Sequence, residues 1–276
     1  MTQKLKWFLE TIKFEHTLFA LPFAYLGLFL GEEGWPSLQK LFWVTLAMVG
    51  LRTVGMIANR LADLEFDREN PRTQKWAFSR GLISQKFLMI VSIPALFIYF
   101  WSAHSLNPLC FLLSPIPCAM ILIYPYFKRF TWTSHLFLGA ILGLAPLGGW
   151  VASKGVISFE PLPLGFAVLF WVAGFDILYA LQDEEFDRQK GLFSIPSIFG
   201  RKASFWLSAI FHILAVASLI WLGNVAHLRV YFWITVAIAS MLIFKEHIRG
   251  PKLFFLPNAS FSLIVFVGTF LDLVMR

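Results

Sequence analysis

Nine nearly unbroken apolar runs divide the chain, at about 14–31, 39–60, 86–104, 107–126, 133–152, 162–182, 204–222, 229–245 and 254–275. Most are close to the roughly 17 to 25 residues that a helix needs to cross the hydrocarbon of a bilayer. The runs are continuously apolar. A spanning β-barrel would show alternation instead, so the pattern predicts helices. Two long polar segments, about 61–85 and 183–203, interrupt the apolar series, and the remaining connections are short. Those at 32–38 and 153–161 carry glycine or proline turn signals. The expectation is an all-α polytopic membrane protein with about nine transmembrane helices.

Composition excludes the soluble alternatives. Hydrophobic residues make up 58% of the chain, and a mean hydropathy of +0.70 lies far outside the range of soluble globular domains. The net charge of +7 reads as loops beside anionic lipid and not as a nucleic-acid surface, because the cations segregate. With the N-terminus inside, the inner segments hold eighteen of them: Lys4, Lys6, Lys13, Arg60, Arg68, Arg72, Lys75, Arg80, Lys86, Lys128, Arg129, Arg188, Lys190, Arg201, Lys202, Lys245, Arg249 and Lys252. The outer segments hold four, Lys40, Lys154, Arg229 and Arg276, and Arg52 falls within a span. This bias predicts a multi-pass protein of a bacterial inner membrane with a cytosolic N-terminus. The stretch from Met1 to His16 is amphipathic and charged, with no cleavage signature, so it is not read as a signal peptide. Cys110 and Cys118 share one apolar run and have neither disulfide-framework nor zinc spacing.

The candidate chemistry is a repeat. Leu61-Ala62-Asp63-Leu64-Glu65-Phe66-Asp67-Arg68 recurs 120 positions later as Leu181-Gln182-Asp183-Glu184-Glu185-Phe186-Asp187-Arg188, and these segments contain four of the six aspartates. Each copy ends a run entering from outside, with four spans between them. The simplest architecture is a single transmembrane domain over 1–276: two four-helix units at about 14–126 and 133–245, an extra helix at 254–275, and cytosolic cap loops. Residues four apart share a helix face. Asn59, Asp63 and Asp67 therefore form one expected polar stripe, and Asp176, Tyr179, Asp183 and Asp187 another. Carboxylates about 6 Å apart by helical rise repel by roughly 3 kcal/mol at an effective dielectric near 20. A cation relieves that repulsion. Magnesium suits such oxygen-only sites, because it completes its shell with water and substrate phosphates. Arg72, Lys75, Arg80, Lys128 and Arg129 are candidate phosphate cations. His16 and His135 lie near the cytosolic edge, with structural roles expected.

These motifs resemble the UbiA superfamily of intramembrane aromatic prenyltransferases over essentially the whole chain, and most closely its 4-hydroxybenzoate polyprenyltransferase branch. Asn59, Asp63 and Asp67 match the family's first motif. Phe175 to Asp187 matches the second and continues into Gly191-Leu192-Phe193-Ser194-Ile195-Pro196. Tyr124 and Lys128 match Tyr-x-x-x-Lys. Lys13 to Pro22 and Ala145-Pro146-Leu147-Gly148-Gly149-Trp150 also agree. Two departures stand out: Lys13 replaces a frequent arginine, and Trp76-Ala77-Phe78 falls where the family commonly has Arg-Pro-Leu, so Lys75 or Arg80 is expected to supply that charge.

The resemblance implies transfer of a polyprenyl group to an aromatic quinone precursor in ubiquinone or menaquinone biosynthesis, by electrophilic aromatic substitution. Asp63, Asp67, Asp183 and Asp187 would hold Mg2+ and the donor diphosphate, aided by Asn59, Arg72 and Lys128. Lys13, Tyr124 and Asp176 would face or orient the aromatic acceptor. Lys13 or Arg52 would meet its carboxylate, and Asp183 is an alternative base for its phenol. The expected partners are polyprenyl diphosphate, a small aromatic acid and the bilayer. Dihydroxynaphthoate is the alternative acceptor. The rival of another class is a transporter of a metal ion or phosphorylated solute, whose ionisable site would normally sit near the bilayer midplane.

Overall fold

The computed structural model describes residues 3–14, 17–249 and 255–275. Glu15 and His16 of the stretch from Lys13 to Pro22, together with Lys252 and Arg276 of the charge count, lie outside the described residues. Among the described residues there are helices and no strand. Six helical segments are long and apolar enough to cross a membrane: Leu38–Ala62, Gln85–Leu106, Pro108–Arg129, Ser134–Lys154, Leu162–Ala180 and Ile195–Val225. Three further apolar helices are shorter as described, Ala20–Glu32, Val230–Lys245 and Ser260–Val274.

A short amphipathic helix, α1 (Gln3–Thr11), precedes α2 (Thr17–Glu32) and α3 (Leu38–Ala62). Ile12 joins Ile57, Leu64, Phe78 and Leu88 in one buried cluster, which seats the N-terminal segment against the cassette end of the bundle. Then come α4 (Leu64–Glu69), α5 (Gln85–Leu106), α6 (Pro108–Leu113), α7 (Pro115–Ile123), a tight 3₁₀ turn (Tyr124–Arg129), α8 (Ser134–Lys154) and α9 (Leu162–Ala180). The series ends with α10 (Glu184–Gln189), α11 (Ile195–Val225), α12 (Val230–Arg249) and α13 (Phe255–Val274).

Apart from Asp176 and Tyr179 near its end, α9 is apolar all round because it is surrounded. About two-thirds (67%) of its most apolar window is buried within the protein, more than for any other long span. Trp171, Val172 and Phe175 of α9 pack with Phe23 and Leu26 of α2 and Phe261 of α13. The partner α8 closes on α2 through reciprocal glycines. A Cβ at Gly27 would stand 1.9 Å from the Pro146 carbonyl oxygen, and one at Gly149 would stand 2.0 Å from that of Ala24. Small residues here let two backbones touch, a packing mode that suits a lipid solvent. At the far end, Asp272 of α13 accepts backbone N–H bonds from Arg229, Tyr231 and Phe232 at 2.6, 3.2 and 3.1 Å. It thereby caps α12 from across the hairpin.

Three sequence expectations change. The run at 107–126 is not one helix: it breaks at Ser114 and tightens from Tyr124 onward. Pro108, Pro115, Pro117 and Pro125 account for this by removing donors and crowding preceding carbonyls. The loop at 183–203 holds α10 and the start of α11, with a kink at Gly200 (φ 75°, ψ 173°). The stripe Asn59–Asp63–Asp67 is not a single helix face either, since α3 ends at Ala62 and Asp63 bends the chain into α4.

Candidate active site

The bend recurs at the repeat. Asp63 sits at φ −97°, ψ 7° between α3 and α4. Asp183 sits at φ −107°, ψ 3° immediately before α10. In each copy the N–H of the second aspartate bonds the first one's carbonyl at 2.8 Å. The short helices α4 and α10 then turn Asp67 and Asp187 inward, to 9% and 3% exposure, while Arg68 and Arg188 stay exposed. The 3₁₀ turn bridges the copies. Arg129 donates to the Ala62 carbonyl at the end of α3 (2.6 Å), and the Lys128 carbonyl accepts from the Phe193 N–H beyond α10 (2.7 Å). Lys128 is thus strapped between the two acidic segments.

A cavity of about 250 Å³ lies between them. Lys13, Asn59, Asp63, Asp67, Arg72, Tyr124, Lys128, Asp176, Asp183 and Asp187 all line it. Beside it lies an apolar cavity of about 350 Å³ between α3, α5, α7 and α8. Arg52, Ile121, Ile141 and Leu142 contribute to both, so the two adjoin.

The four cassette carboxylates are compensated unequally. Arg72 grips Asp183 with two parallel bonds, Nε to Oδ1 at 2.9 Å and Nη2 to Oδ2 at 2.6 Å, and Asn70 adds a third at 2.9 Å. Burial alone would raise the Asp183 carboxyl. The Arg72 bonds and charge overcome it and hold that group below its ordinary value. Arg60 Nη1 donates to Asp67 Oδ2 at 3.1 Å, with both side chains nearly covered. Among the described residues, the Asp63 carboxylate accepts a hydrogen bond from the Asn59 amide alone (3.0 Å). Burial pushes its carboxyl up to about 6, the Lys128 ammonium opposing and Asp67 adding to the rise. Burial likewise raises Asp187, again with Lys128 opposing. The Ser194 hydroxyl also lowers it, and among the described residues its Oδ2 is buried without a hydrogen-bond partner.

The departed first-loop motif takes an unexpected form. Lys75 and Arg80 are exposed and do not stand in for the missing arginine. Trp76 enters the cavity wall instead, with the Arg60, Lys13 and Arg72 cations 4.1, 5.0 and 5.5 Å from its ring. Its indole face gathers three cations that would otherwise repel one another. Lys13 takes part with a left-handed backbone (φ 48°). Sequence reasoning missed Arg60, Asn70 and Trp76 as site residues. For Asn70 a signal existed: Asn70-Pro71-Arg72 is a turn sequence, and the Asn70 side chain accepts the Arg72 N–H at 2.8 Å, which aims Arg72 at Asp183.

Residues 20–250 match the UbiA prenyltransferase family. The chain belongs to that family. UbiA relatives include the 4-hydroxybenzoate octaprenyltransferase of Francisella tularensis subsp. novicida (strain U112), 30% identical over 227 residues, 82% of this chain and 80% of that protein. The enzyme of the same name from Francisella tularensis subsp. tularensis (strain WY96-3418) is 28% identical over 257 residues, 91% and 89% of the two chains. Among solved structures, the apo UbiA homolog from Aeropyrum pernix K1 superposes with a TM-score of 0.87 at 36% identity, over 94% of this chain and 98% of that one. A UbiA homolog from Archaeoglobus fulgidus, bound to GPP and Mg2+, shares the fold at a TM-score of 0.70 and 20% identity, over 97% and 99% of the two chains. The protein is therefore an integral-membrane prenyltransferase.

Among the described residues, no three His, Cys, Asp or Glu side chains gather closely enough to form a protein-only metal cage. The donor set still fits a hard cation shared with a ligand. It is all oxygen, it includes the unpartnered Asp187 Oδ2, and it includes a carboxylate lifted by burial, Asp63. Mg2+ is commonly held by one or two carboxylates plus substrate phosphates.

Proposed function

We propose that this chain transfers a polyprenyl group from its diphosphate to 4-hydroxybenzoate at the cassette cavity. One observation carries the reading. A polar cavity lined by five carboxylates, Arg72 and Lys128 adjoins a larger apolar one, the shape and chemistry of an anionic head on a hydrocarbon tail. The names of the Francisella relatives support 4-hydroxybenzoate as the acceptor. We further read the chain as one domain with nine crossings, the N-terminus and cassettes on the cytosolic face of a bacterial inner membrane.

Asp63 and Asp187 would hold Mg2+, with Asp67 and Asp183 beside them. Bound there, the ion supplies positive charge against the departing diphosphate. Lys128, between the acidic segments, and Arg72, at the mouth, bind the diphosphate oxygens. Asn59 and Asn70 orient the carboxylates. The apolar cavity takes the chain and keeps water from the allylic carbon. Arg52, at the junction of the cavities, and Lys13, near Trp76, are the cations available to an acceptor carboxylate.

The test is purified protein with Mg2+, geranyl diphosphate and either 4-hydroxybenzoate or dihydroxynaphthoate. Prenylated 4-hydroxybenzoate, lost in Asp63→Ala and Asp183→Ala, supports the reading. Prenylation of dihydroxynaphthoate alone moves the enzyme to the alternative acceptor. Solute uptake into sealed vesicles, without prenyl transfer and indifferent to those substitutions, replaces the enzyme with the transporter.

A further inference from the structure

His135 is fully buried in the first turn of α8. Its Nδ1 stands 2.7 Å from Oδ2 of Asp176 on α9. Its Nε2 lies 3.3 Å from the backbone N–H of Ile195, at the start of α11. A backbone N–H can only donate, so Nε2 is the acceptor and carries no proton. The ring is then neutral, and its one N–H, on Nδ1, points at Asp176. This arrangement fixes both the tautomer of His135 and the orientation of the carboxylate.

Asp176 differs from the other acids of the cavity. Asp183 is gripped on both oxygens by Arg72, which drains its basicity. Asp67 is paired with the Arg60 cation. Asp63 and Asp187 are assigned above to the metal and diphosphate. Asp176 is held through a neutral donor and lines the same cavity. It lies on α9 four residues before that helix ends at Ala180, about 6 Å along the axis from the cassette end, and Val172 and Phe175 of the same helix line the cavity beside it.

We propose that Asp176 is the base that takes the proton displaced from the acceptor ring, and that His135 is the positioning residue that holds it. The proposal rests on the transferase reading above. The allylic C–O bond breaks, and its electron pair leaves with the diphosphate. A C–C bond forms from a π pair of the ring to the allylic carbon. The C–H bond at that ring carbon then breaks, its electrons restore aromaticity, and the proton passes to the Asp176 carboxylate. Product departure returns the proton to water. This supersedes Asp183 as the candidate base.

The experiment compares wild type, Asp176→Asn, His135→Asn and His135→Gln in steady-state turnover with geranyl diphosphate, Mg2+ and 4-hydroxybenzoate, ordinary or deuterated at both carbons ortho to the hydroxyl. An Asn amide reaches where Nδ1 stands, and a Gln amide where Nε2 stands. The expected result is that Asp176→Asn lowers kcat by about 10²-fold or more, with the KM for geranyl diphosphate unchanged. A ring-deuterium isotope effect, absent in wild type, emerges as proton loss becomes limiting. His135→Gln, which keeps the Ile195 contact, shows the same isotope effect, whereas His135→Asn, which keeps the donor to Asp176, turns over within a few-fold of wild type. The proposal is overturned if Asp176→Asn slows without an isotope effect. It is equally overturned if His135→Gln behaves as wild type while His135→Asn fails, which would make His135 a structural anchor for α11. A wild type that prenylates no arene removes the transferase reading as well. The two failures are thus separate, and melting temperatures of all four proteins show whether any variant has simply unfolded.

Discussion

The two acidic cassettes share a sequence, a backbone bend and a cavity, but their carboxylates meet different surroundings. In the first copy the aspartate at the bend, Asp63, has a neutral amide as its hydrogen-bond donor, and the aspartate on the short helix, Asp67, has an arginine. In the second copy the order reverses. Asp183 at the bend is clamped by Arg72, and Asp187 on the short helix keeps a bare oxygen. The two pairs are equivalent in sequence, and the first loop, which sends Arg72 across to the second copy, breaks that equivalence. The under-compensated acids are therefore one from each half, Asp63 and Asp187, and Lys128 opposes the charge of both. A ligand cation would be drawn between the halves and not to either cassette alone.

The largest expected effect separates the compensated acids from the others. Arg60 and Asp67 are 8% and 12% exposed at the side chain. Asp67→Ala leaves a buried guanidinium without its counter-charge, which costs about 3–5 kcal/mol. Replacing both partners, Arg60→Met with Asp67→Leu, recovers most of that loss. Unfolding of the single and double variants in detergent measures it. A single variant as stable as wild type would show that the pair is not what balances the first cassette.

At Asp63 and Asp187 the balance is reversed. Asp63→Asn and Asp187→Asn remove buried charge that forms no direct ion pair among the described residues, so the metal-free protein should melt no lower than wild type. Turnover should nevertheless fall by about 10²- to 10³-fold, the scale of losing one charge-stabilising group. If these variants unfold while Asp67→Asn and Asp183→Asn stay folded, the crosswise assignment is wrong.

A third effect follows from Asp63, whose carboxyl titrates near 6 in the metal-free protein because burial raises it. As pH falls below about 6, protons compete for the carboxylate, and Mg2+ affinity should drop by up to about tenfold per pH unit from this group. Above about 6 this dependence should flatten. The stability of the metal-free protein runs the other way. A raised folded-state value contributes stability that is present below the unfolded value and is lost as pH rises through about 6. Mg2+ titrations between pH 5 and 8 should show a steeper slope in wild type than in Asp63→Asn, where the raised carboxyl of Asp187 still contributes.

Much of this was legible before any coordinates, and the divisions are physical. The apolar runs and the repeated acids are local patterns, so the helical bundle and the acids that line the cavity could be read directly, while the family came from the resemblance of the motifs around them. The bends at Asp63 and Asp183 could not, because nothing in an i, i+4 spacing says where a helix stops. The Arg72–Asp183 clamp joins residues 111 positions apart, which no periodicity encodes. Trp76 looked like the loss of a cation, yet it organises three of them, since an indole's affinity for charge depends on which side chains fold over it. His135 looked structural because its partner lies 41 residues away on another helix.

The smallest effect tests whether contact between the halves is itself important. Arg72 reaches from the first loop to Asp183, and Lys190, just past α10, reaches back to pair with Glu69 at the end of α4. The two links are reciprocal in topology but not in environment. Asp183 is 7% exposed at the side chain, whereas Lys190 and Glu69 are 38% and 56% exposed. Water screens the second pair, so Lys190→Ala should lower stability by no more than about 1 kcal/mol, and by less at high salt. Arg72→Ala strands a buried carboxylate and should cost more and be far less salt-sensitive. Melting both variants at low and high ionic strength compares them directly. Equal losses with equal salt dependence would mean that proximity of the halves, and not burial of the charge, stabilises the cassette end of the molecule.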